Sequence, residues 1–486
     1  MKFIFKALLI VTVLFPSVNN AQTISKQQAL EDINQFKVIL LNQSSYLYSK
    51  GLNPNTALDK LANYLDKNVE IQELFYGLMK IVGEIGDRHA RVRWNGLKRD
   101  KLGLPFIMAP MDGKIVALKK ELKANKYQLL QKKYPFVKAI NGMPILEFIE
   151  SIAWAYKYAP TYSKIHYATR ERNYNYLLST VFGKKDSYQF TFTNGKKDKT
   201  IKLILEENPK RWKDLTYNPN LKKPQSLFKK VGKNIGYISL PAMVAREGRN
   251  GNLYRYVTAK MHDYKSTDAI IIDLRNNGGG TREFLMQLAP YFLSPNAKPW
   301  IANVAKIRSD QVINEDMESM RGRFLYNYRS SFVTDSDRKS IKSFMKDFKT
   351  DWKYNPKRFS ENFFMVLRHD KGKDHYYYDK PVYVLVNERS FSAASVFTTA
   401  VKGMGNVKIA GICTDGSSGR SRKYDMKHSK INLKLSSMIS FQRNGKTLDT
   451  NGTEPDVFIP KDLDQVLGIK DSQLEKLIQV IENKNQ

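Results

Sequence analysis

Two segments of the chain run from an apolar strand directly into a turn and then into a helix, and they constrain its fold more than any other feature. The first reads AIIIDLRNNGGG from Ala269 to Gly280, and the second reads VYVLVNERSFSAAS from Val382 to Ser395. Strands that alternate with helices in this way form a layered α/β core. Backbone N–H groups converge where such a helix begins, so each junction predicts a place where an anion or a reacting oxygen can bind.

The same alternation extends beyond the two junctions. Further strands are predicted from Ile235 to Leu240 and from Val407 to Ile412. Helices are predicted from Thr281 to Leu293 and from Ala393 to Met404. A polar, aromatic and basic stretch between these parts breaks the alternation, and we interpret it as an insertion.

A chain of 486 residues exceeds the usual size of one domain, and its texture divides it into regions. Apolar residues have helical spacing from Ser25 to about Val92, with Ser25 as the predicted N-cap of the first helix. Short strand candidates such as Leu104 to Met108, separated by Asp-Gly and Asn-Gly turns, follow up to about Glu206. The predicted division is a signal peptide at 1–21, a helical N-terminal region at 22–98, a β-rich module at 99–206, an α/β core at 207–297 and 381–486, and an insertion at 298–380. The fold class is therefore α/β and α+β, in several domains.

The first residues predict export from the cytoplasm. Two lysines precede an apolar run from Ala7 to Phe15, and small residues then lead to Ala21. This order is typical of a cleaved secretory signal. This run is too short to cross a bilayer comfortably, and no later run approaches that length, so we expect no integral membrane segment after cleavage. Cys413 is the only cysteine, which excludes a disulfide within one chain and a metal site built from cysteines. We expect a periplasmic or secreted protein.

The chain is strongly basic, with 80 Lys and Arg against 47 Asp and Glu and a formal net charge of +33. The basic residues are dispersed through the whole sequence and are not concentrated in one arm or helix. Dispersed charge indicates a basic surface, whereas a nucleic-acid site needs a patch or stripe. We therefore expect no nucleic-acid partner.

Each junction allows a structural and a chemical interpretation. The glycines from Gly278 to Gly280 are compatible with a tight loop or with a backbone that approaches a ligand closely. A phosphate-binding loop is disfavoured because its Gly-Lys-Ser/Thr ending is missing. Ser390, Ser392 and Ser395 are each candidates for a helix N-cap. A serine at the mouth of a helix is also suited to act as a nucleophile, because the helix dipole and the next N–H group stabilise negative charge there.

Three motifs together resemble a known family. Asp273-Leu274-Arg275-Asn276-Asn277-Gly278-Gly279-Gly280, Ser392-Ala393-Ala394-Ser395 and Gly452-Thr453-Glu454-Pro455-Asp456 occur in the order and spacing of the C-terminal processing (tail-specific) serine peptidases, which have a ClpP/crotonase-like core. The resemblance extends from the helical start to the Pro-Asp motif. It implies that residues 99–206 form a PDZ-like module, with Ala139-Ile140-Asn141-Gly142 as its recurrent turn, that binds extended peptide as an added strand.

The resemblance also implies roles for single residues. Ser392 matches the nucleophile, and the N–H groups of Ala393 and of Gly279 or its neighbour Gly278 match the oxyanion hole. The bacterial tail-specific branch has a lysine base in the turn that follows. Here that turn reads Gly416-Ser417-Ser418-Gly419, with no lysine.

A serine hydroxyl needs some other base in that case. His89, in Gly86-Asp87-Arg88-His89-Ala90, resembles the base of the tricorn-like branch, and Asp449 occupies the place of that branch's acidic residue. Lys423 and Lys427 are the fallback bases. The alternative for His89 is a polar residue that ends a helix.

These assignments predict a secreted or periplasmic serine endopeptidase that acts on peptides or proteins. No cofactor or metal is called for, because acyl transfer by a serine needs a base and an oxyanion site. Two other functions stay open. One is a catalytically inactive secreted protein that still binds peptides, and the other is a basic surface protein that adheres to acidic envelope polymers. The sequence does not predict the oligomeric state.

Overall fold

The computed structural model describes residues 22–97, 100–171, 173–207, 210–217, 224–244, 253–309, 319–369 and 376–484. The predicted signal peptide lies outside the described residues. Within these ranges, none of the helices has both the length and the apolar character that crossing a membrane requires.

The N-terminal region is helical, as its apolar spacing predicts. Ser25 caps the first helix, because its Oγ accepts the N–H of Gln28 while the Gln28 side chain accepts the N–H of Ser25. The elements are β1 (Thr23–Ser25), α1 (Lys26–Gln43), α2 (Pro54–Asn63), β2 (Asn68–Glu70), α3 (Ile71–Gly83) and β3 (Arg91–Arg93). A short loop therefore separates α3 from β3.

A β-rich module with three helices follows. Its main sheet has the order β10-β9-β7-β6-β5, and the predicted turns at Asn141-Gly142 and Asn194-Gly195 join neighbouring strands. The elements are β4 (Leu102–Gly103), β5 (Ile107–Met111), β6 (Lys114–Leu118), β7 (Phe136–Ile140), β8 (Met143–Pro144), α4 (Ile145–Ile152), α5 (Thr161–Ala168), α6 (Tyr174–Phe182), β9 (Tyr188–Thr193), β10 (Asp198–Leu203) and β11 (Glu206–Glu207). The strand predicted from Leu104 to Met108 is wrong by three residues at each end.

The central sheet has the order β12-β13-β14-β19-β20-β24, and all its pairs except β12 with β13 are parallel. Its strands and their helices are β12 (Phe228–Val231), β13 (Ile235–Ser239), α7 (Leu253–Asp263), β14 (Ala269–Asp273), α8 (Glu283–Leu288), β19 (Val382–Val386), α10 (Ala393–Val401), β20 (Val407–Gly411), β24 (Val457–Phe458), α11 (Leu463–Leu467) and α12 (Ser472–Lys484). Every residue of β13, β14 and β19 is buried, as expected for strands covered on both faces.

Both core helices are shorter than predicted. The first ends at Leu288, and a tighter turn follows at Ala289–Phe292, where Pro290 has no N–H to continue the α-helical pattern. The second ends at Val401, because Lys402 is extended and Gly403 has a φ of +85°.

The predicted insertion forms a second sheet of order β16-β17-β18-β15-β23, which β23 of the later core segment completes. Its elements are β15 (Trp300–Ile307), β16 (Ser319–Met320), β17 (Leu325–Asn327), α9 (Asp335–Asp347), β18 (Phe363–Leu367) and β23 (Met438–Phe441). Alternate residues of β15 face opposite ways: Ala305 packs in the cluster of the central sheet, and Val304 packs in the cluster of the N-terminal helices. This second sheet is therefore a middle layer between the central sheet and the N-terminal helices.

A third, small sheet joins the N-terminal region to the core. In it β21 (Ser421–Asp425), β22 (Asn432–Ser436) and β3 pair antiparallel in that order, with Val92 opposite Leu433. The Asp87 carboxylate accepts the backbone N–H and the hydroxyl of Ser436, each at 2.8 Å. These contacts hold the loop between α3 and β3 against the core.

Candidate active site

The two strand-to-helix junctions lie side by side. β14 and β19 are parallel neighbours, so the loops that follow them leave the same edge of the sheet. The N–H of Phe391 donates to the Asn277 carbonyl at 2.9 Å, and the hydroxyl of Ser390 donates to the Leu274 carbonyl at 2.8 Å. The glycine loop and the serine loop are thus tied into one site.

Ser392 occupies the N-cap position of α10 without capping it. Its φ of +56° and ψ of −119° are unusual for a residue with a side chain, a strain of about 1–3 kcal/mol that is typical of functional positions. Its N–H donates to Ser417 Oγ at 2.9 Å. The hydroxyls of Ser390 and Ser395 are held by backbone carbonyls of the same loops. Among these three serines, Ser392 is the one whose hydroxyl lies beside a histidine.

That histidine is His89, whose Nε2 lies 3.3 Å from Ser392 Oγ across 303 positions of sequence. The His89 ring is buried and packs near the Phe391 ring, with centroids 5.0 Å apart. Burial, and after it the positive charges of Lys434 and Arg91, lower the pKa of His89 well below 6.5. The imidazole is therefore neutral at neutral pH, which is the form that accepts a proton.

The backbone of the His89 loop is held from both sides. The Asp87 carboxylate accepts the N–H groups of His89 at 2.8 Å and of Ala90 at 3.0 Å. The side chain of Arg88, the residue before His89, forms a buried ion pair with Asp415 at 2.8 Å. These contacts set where the imidazole enters the site.

Asp449 forms no hydrogen bond with the imidazole among the described residues. Its carboxylate accepts the N–H of Arg88 at 3.0 Å, the N–H of Ser418 at 3.2 Å and the hydroxyl of Tyr46 at 3.0 Å. Burial, and after it the charge of Asp87, raise the pKa of Asp449 well above its usual range. The His89 Nδ1 is buried and has no hydrogen-bond partner among the described residues. The structure thus brings Asp449 to the backbone next to His89.

Two backbone N–H groups beside Ser392 are free to bind an oxyanion. In the described part of the chain, the N–H groups of Gly278 and Ala393 have no hydrogen-bond partner, whereas the N–H of Gly279 donates to Asn277 Oδ1 at 2.8 Å. Gly279 serves in another way. Its φ is +91°, and a Cβ there would lie 2.6 Å from the Ser392 Cβ, so only glycine lets the two loops approach this closely.

The two fallback bases are placed elsewhere. Lys427 pairs with Glu31 at 3.1 Å on the surface, and the Lys423 side chain is exposed on β21. The turn from Gly416 to Gly419, which lacks a lysine, packs on His89: a Cβ on Gly419 would lie 3.1 Å from His89 Cγ. Small residues at this turn therefore leave room for the imidazole.

Sequence reasoning missed three interactions of the site: Asp87 with the N–H of His89, Ser417 with the N–H of Ser392, and the charge of Lys434, which lowers the pKa of His89. Asp87 and Ser417 lie within the motifs that pointed to His89 and to the missing lysine, and their polar side chains are the signal that could have found them. Within the described ranges, no cluster of three or more His, Cys, Asp or Glu side chains could hold a metal ion.

A neutral histidine beside a serine at a helix N-terminus with free N–H groups is an arrangement that serine-type peptidases use. Residues 234–459 match the family model Peptidase family S41. The protein is a serine-type peptidase, and the match is consistent with a C-terminal processing peptidase of that family. No curated protein matches the chain in sequence.

Solved structures share the fold. Mature CPAF has 15% identity and a TM-score of 0.64, with 95% of this chain and 99% of that chain covered. Mature CPAF complexed with lactacystin has 14% identity and a TM-score of 0.62, with 94% and 99% covered. At this identity the similarity shows that this chain and CPAF share a fold.

Proposed function

We propose that the protein is a secreted or periplasmic serine endopeptidase in which Ser392 is the nucleophile and His89 is its general base. The observation that carries the proposal is the 3.3 Å approach of His89 Nε2 to Ser392 Oγ. That distance is close to hydrogen-bond length, and such contacts tighten when substrate binds. The charge pattern of the first 21 residues supports export.

The reaction follows from this geometry. Ser392 Oγ attacks the substrate carbonyl carbon while its proton passes to His89 Nε2. The tetrahedral oxyanion binds the N–H groups of Gly278 and Ala393, and one such donor contributes on the order of 10²–10³ to the rate. His89 then protonates the leaving amine, and an acyl-enzyme remains. Water, deprotonated by His89, hydrolyses that ester and restores the serine hydroxyl.

Asp449 acts in this scheme as a positioning residue. It fixes the backbone at Arg88, and through it the entry of His89 into the site. The β-rich module at 99–206 is proposed to be PDZ-like and to bind extended peptide, and the exposed β10 at the end of its sheet supports this because an unpaired strand edge can accept another strand.

Labelling with a fluorophosphonate probe tests the nucleophile. We expect the wild-type protein to be labelled and Ser392→Ala not to be, with Ser395→Ala as the matched control because its hydroxyl is bound to the Ser390 carbonyl. Labelling of Ser392→Ala would place the nucleophile elsewhere. A wild-type protein that binds peptides but is neither labelled nor active would favour the inactive peptide-binding protein.

A further inference from the structure

A cavity of about 380 Å³ beside the serine loop is lined by four arginines, Arg91, Arg170, Arg211 and Arg389. We call it the arginine cavity. Its guanidinium groups come from four separate parts of the chain: β3, the end of α5, the segment before the central sheet, and the serine loop itself. Such convergence of like charge opposes folding unless something offsets it, since like charges repel.

The charge of Glu388 acts on Arg170, and that of Asp415 acts on Arg91. Each of these carboxylates already pairs with another cation, Glu388 with Lys461 and Asp415 with Arg88. None of the four arginines has an Asp or Glu within ion-pair distance among the described residues. One acid, Glu171, lines the cavity, but burial raises its pKa to about 7, so it carries only part of a charge near neutral pH. Burial lowers the pKa of His166, in the same wall, to about 4, so this imidazole is neutral.

The hydrogen bonds of these arginines leave most of their donors unused. Arg211 Nη1 donates to the Arg170 carbonyl at 2.8 Å, and Arg389 Nη1 donates to Asn276 Oδ1 at 3.4 Å. A guanidinium has five N–H donors arranged in a planar fork that matches a carboxylate. The cavity therefore offers charged donors that are not in ion pairs with a carboxylate among the described residues.

The cavity also adjoins the reacting atoms. Gly278, whose N–H faces the proposed oxyanion position, and Phe391, which precedes Ser392, both belong to its wall. The Arg91 guanidinium lies 5.8 Å from the Phe391 ring centroid. A substrate held at Ser392 is thus within a residue or two of the four arginines.

We propose that the arginine cavity is a substrate subsite for a carboxylate group close to the scissile bond. The carboxylate belongs either to an Asp or Glu side chain of the substrate or to its C-terminal residue, since both present the same planar anion. This inference rests on the proposed function, because it takes Ser392 as the point of cleavage.

Binding to the Ser392→Ala variant tests the subsite separately from catalysis. The probes are fluorescein-labelled octapeptides of Ala, Ser and Leu that carry Glu or Gln at each position in turn, each made with a free or an amidated C-terminus. By fluorescence anisotropy we expect a carboxylate peptide to bind about tenfold more tightly than its neutral twin, the effect of one charge-assisted hydrogen bond. A preference for Glu at one position identifies a side-chain carboxylate, and a preference for the free terminus identifies the α-carboxylate.

Arginine variants in the Ser392→Ala background locate the effect. Arg170→Gln should remove the preference and leave affinity for the neutral twin within about twofold. Arg91→Gln should weaken the preference for the carboxylate peptide. Because this side chain is exposed on β3, we expect the variant to fold. Arg93→Gln is the matched control, since it lies two residues along the same strand, is exposed and does not line the cavity.

Each result decides something. Equal binding of carboxylate and neutral peptides overturns the subsite, as does a loss in Arg170→Gln and Arg91→Gln that affects both peptides equally. An arginine-dependent preference in a protein whose wild type cleaves none of the peptides upholds the subsite and contradicts the peptidase. Cleavage of the peptides by the wild type, with no preference for carboxylate over neutral peptides, upholds the peptidase and contradicts the subsite.

Discussion

Gly279→Ala is the most direct test of how the two loops build the site. The added Cβ would lie 2.6 Å from the Ser392 Cβ, 2.8 Å from the Phe391 carbonyl oxygen and 2.9 Å from the Ala393 nitrogen. An ordinary contact of this kind begins at 3.4 Å, so the serine loop must retreat by at least 0.8 Å, which is 3.4 minus 2.6. The positive φ adds strain of about 1–3 kcal/mol.

The expected loss follows from this displacement. A misplacement of about 1 Å at a reacting atom costs on the order of a hundredfold in rate, because the attack geometry and the oxyanion contacts are both disturbed. We expect kcat for a fluorogenic peptide, and the rate of fluorophosphonate labelling, to fall by about that factor in Gly279→Ala. The free energy of unfolding should fall by about 1–3 kcal/mol, measured by urea denaturation.

Two glycines elsewhere in the chain separate the effect of the close contact from the effect of the strained backbone. Gly113 also has a positive φ, +73°, but a Cβ added there would meet no atom within 4 Å, so Gly113→Ala should lose stability and keep activity. Gly405 has neither constraint, so Gly405→Ala should change stability by less than about 1 kcal/mol. If Gly279→Ala kept activity within twofold of the wild type, the close approach of the loops would not matter for catalysis and the site as described would be wrong.

Three further predictions concern the residues around Ser392. Activity should stay level from about pH 8 down to 6.5 and fall only below it, because the pKa of His89 is lowered and only the neutral imidazole accepts the proton; a pH–rate profile with an acid limb centred above 6.5 would contradict this. Ser392→Ala and His89→Ala should each lower kcat as much as the double variant does, since the two groups act as a unit, and additive losses would show that they act independently. Asp449→Asn should lower activity and Tm together, at a cost of about 1–3 kcal/mol, because the carboxylate holds the N–H groups of Arg88 and Ser418. A fall in kcat of about a thousandfold at unchanged Tm would instead show that Asp449 orients the imidazole directly.

The central strands can be predicted from the sequence because their burial leaves a strong local signal. The run from Val382 to Val386 is apolar throughout and is observed as a strand with those bounds. The helix after Gly280 is shorter than its pattern predicts, since apolar spacing continues past Leu288 while Pro290 changes the local hydrogen bonding. Periodicity reports which face is buried and is a poor guide to where a helix ends.

The candidate site is accessible from the sequence only in part. Ser392 stands out by its position at a helix N-terminus, whereas the partnership with His89 needs pairing across 303 positions and comes from family resemblance. The resemblance places the carboxylate of Asp449 at the imidazole, and it lies instead on the Arg88 N–H. Whether the carboxylate accepts from the imidazole or from the Arg88 N–H depends on side-chain packing, which no pattern of residue types records.

The pairing of β3 with β22 also orders events during synthesis. A ribosome releases His89 early and Ser392 some three hundred residues later, and β22, which fixes the histidine loop through Ser436, emerges after both. A nascent chain that already contains Ser392 still has no strand β22 on which the His89 loop can dock. The proposed pair of Ser392 and His89 therefore comes together only after the chain has been translated at least as far as Ser436.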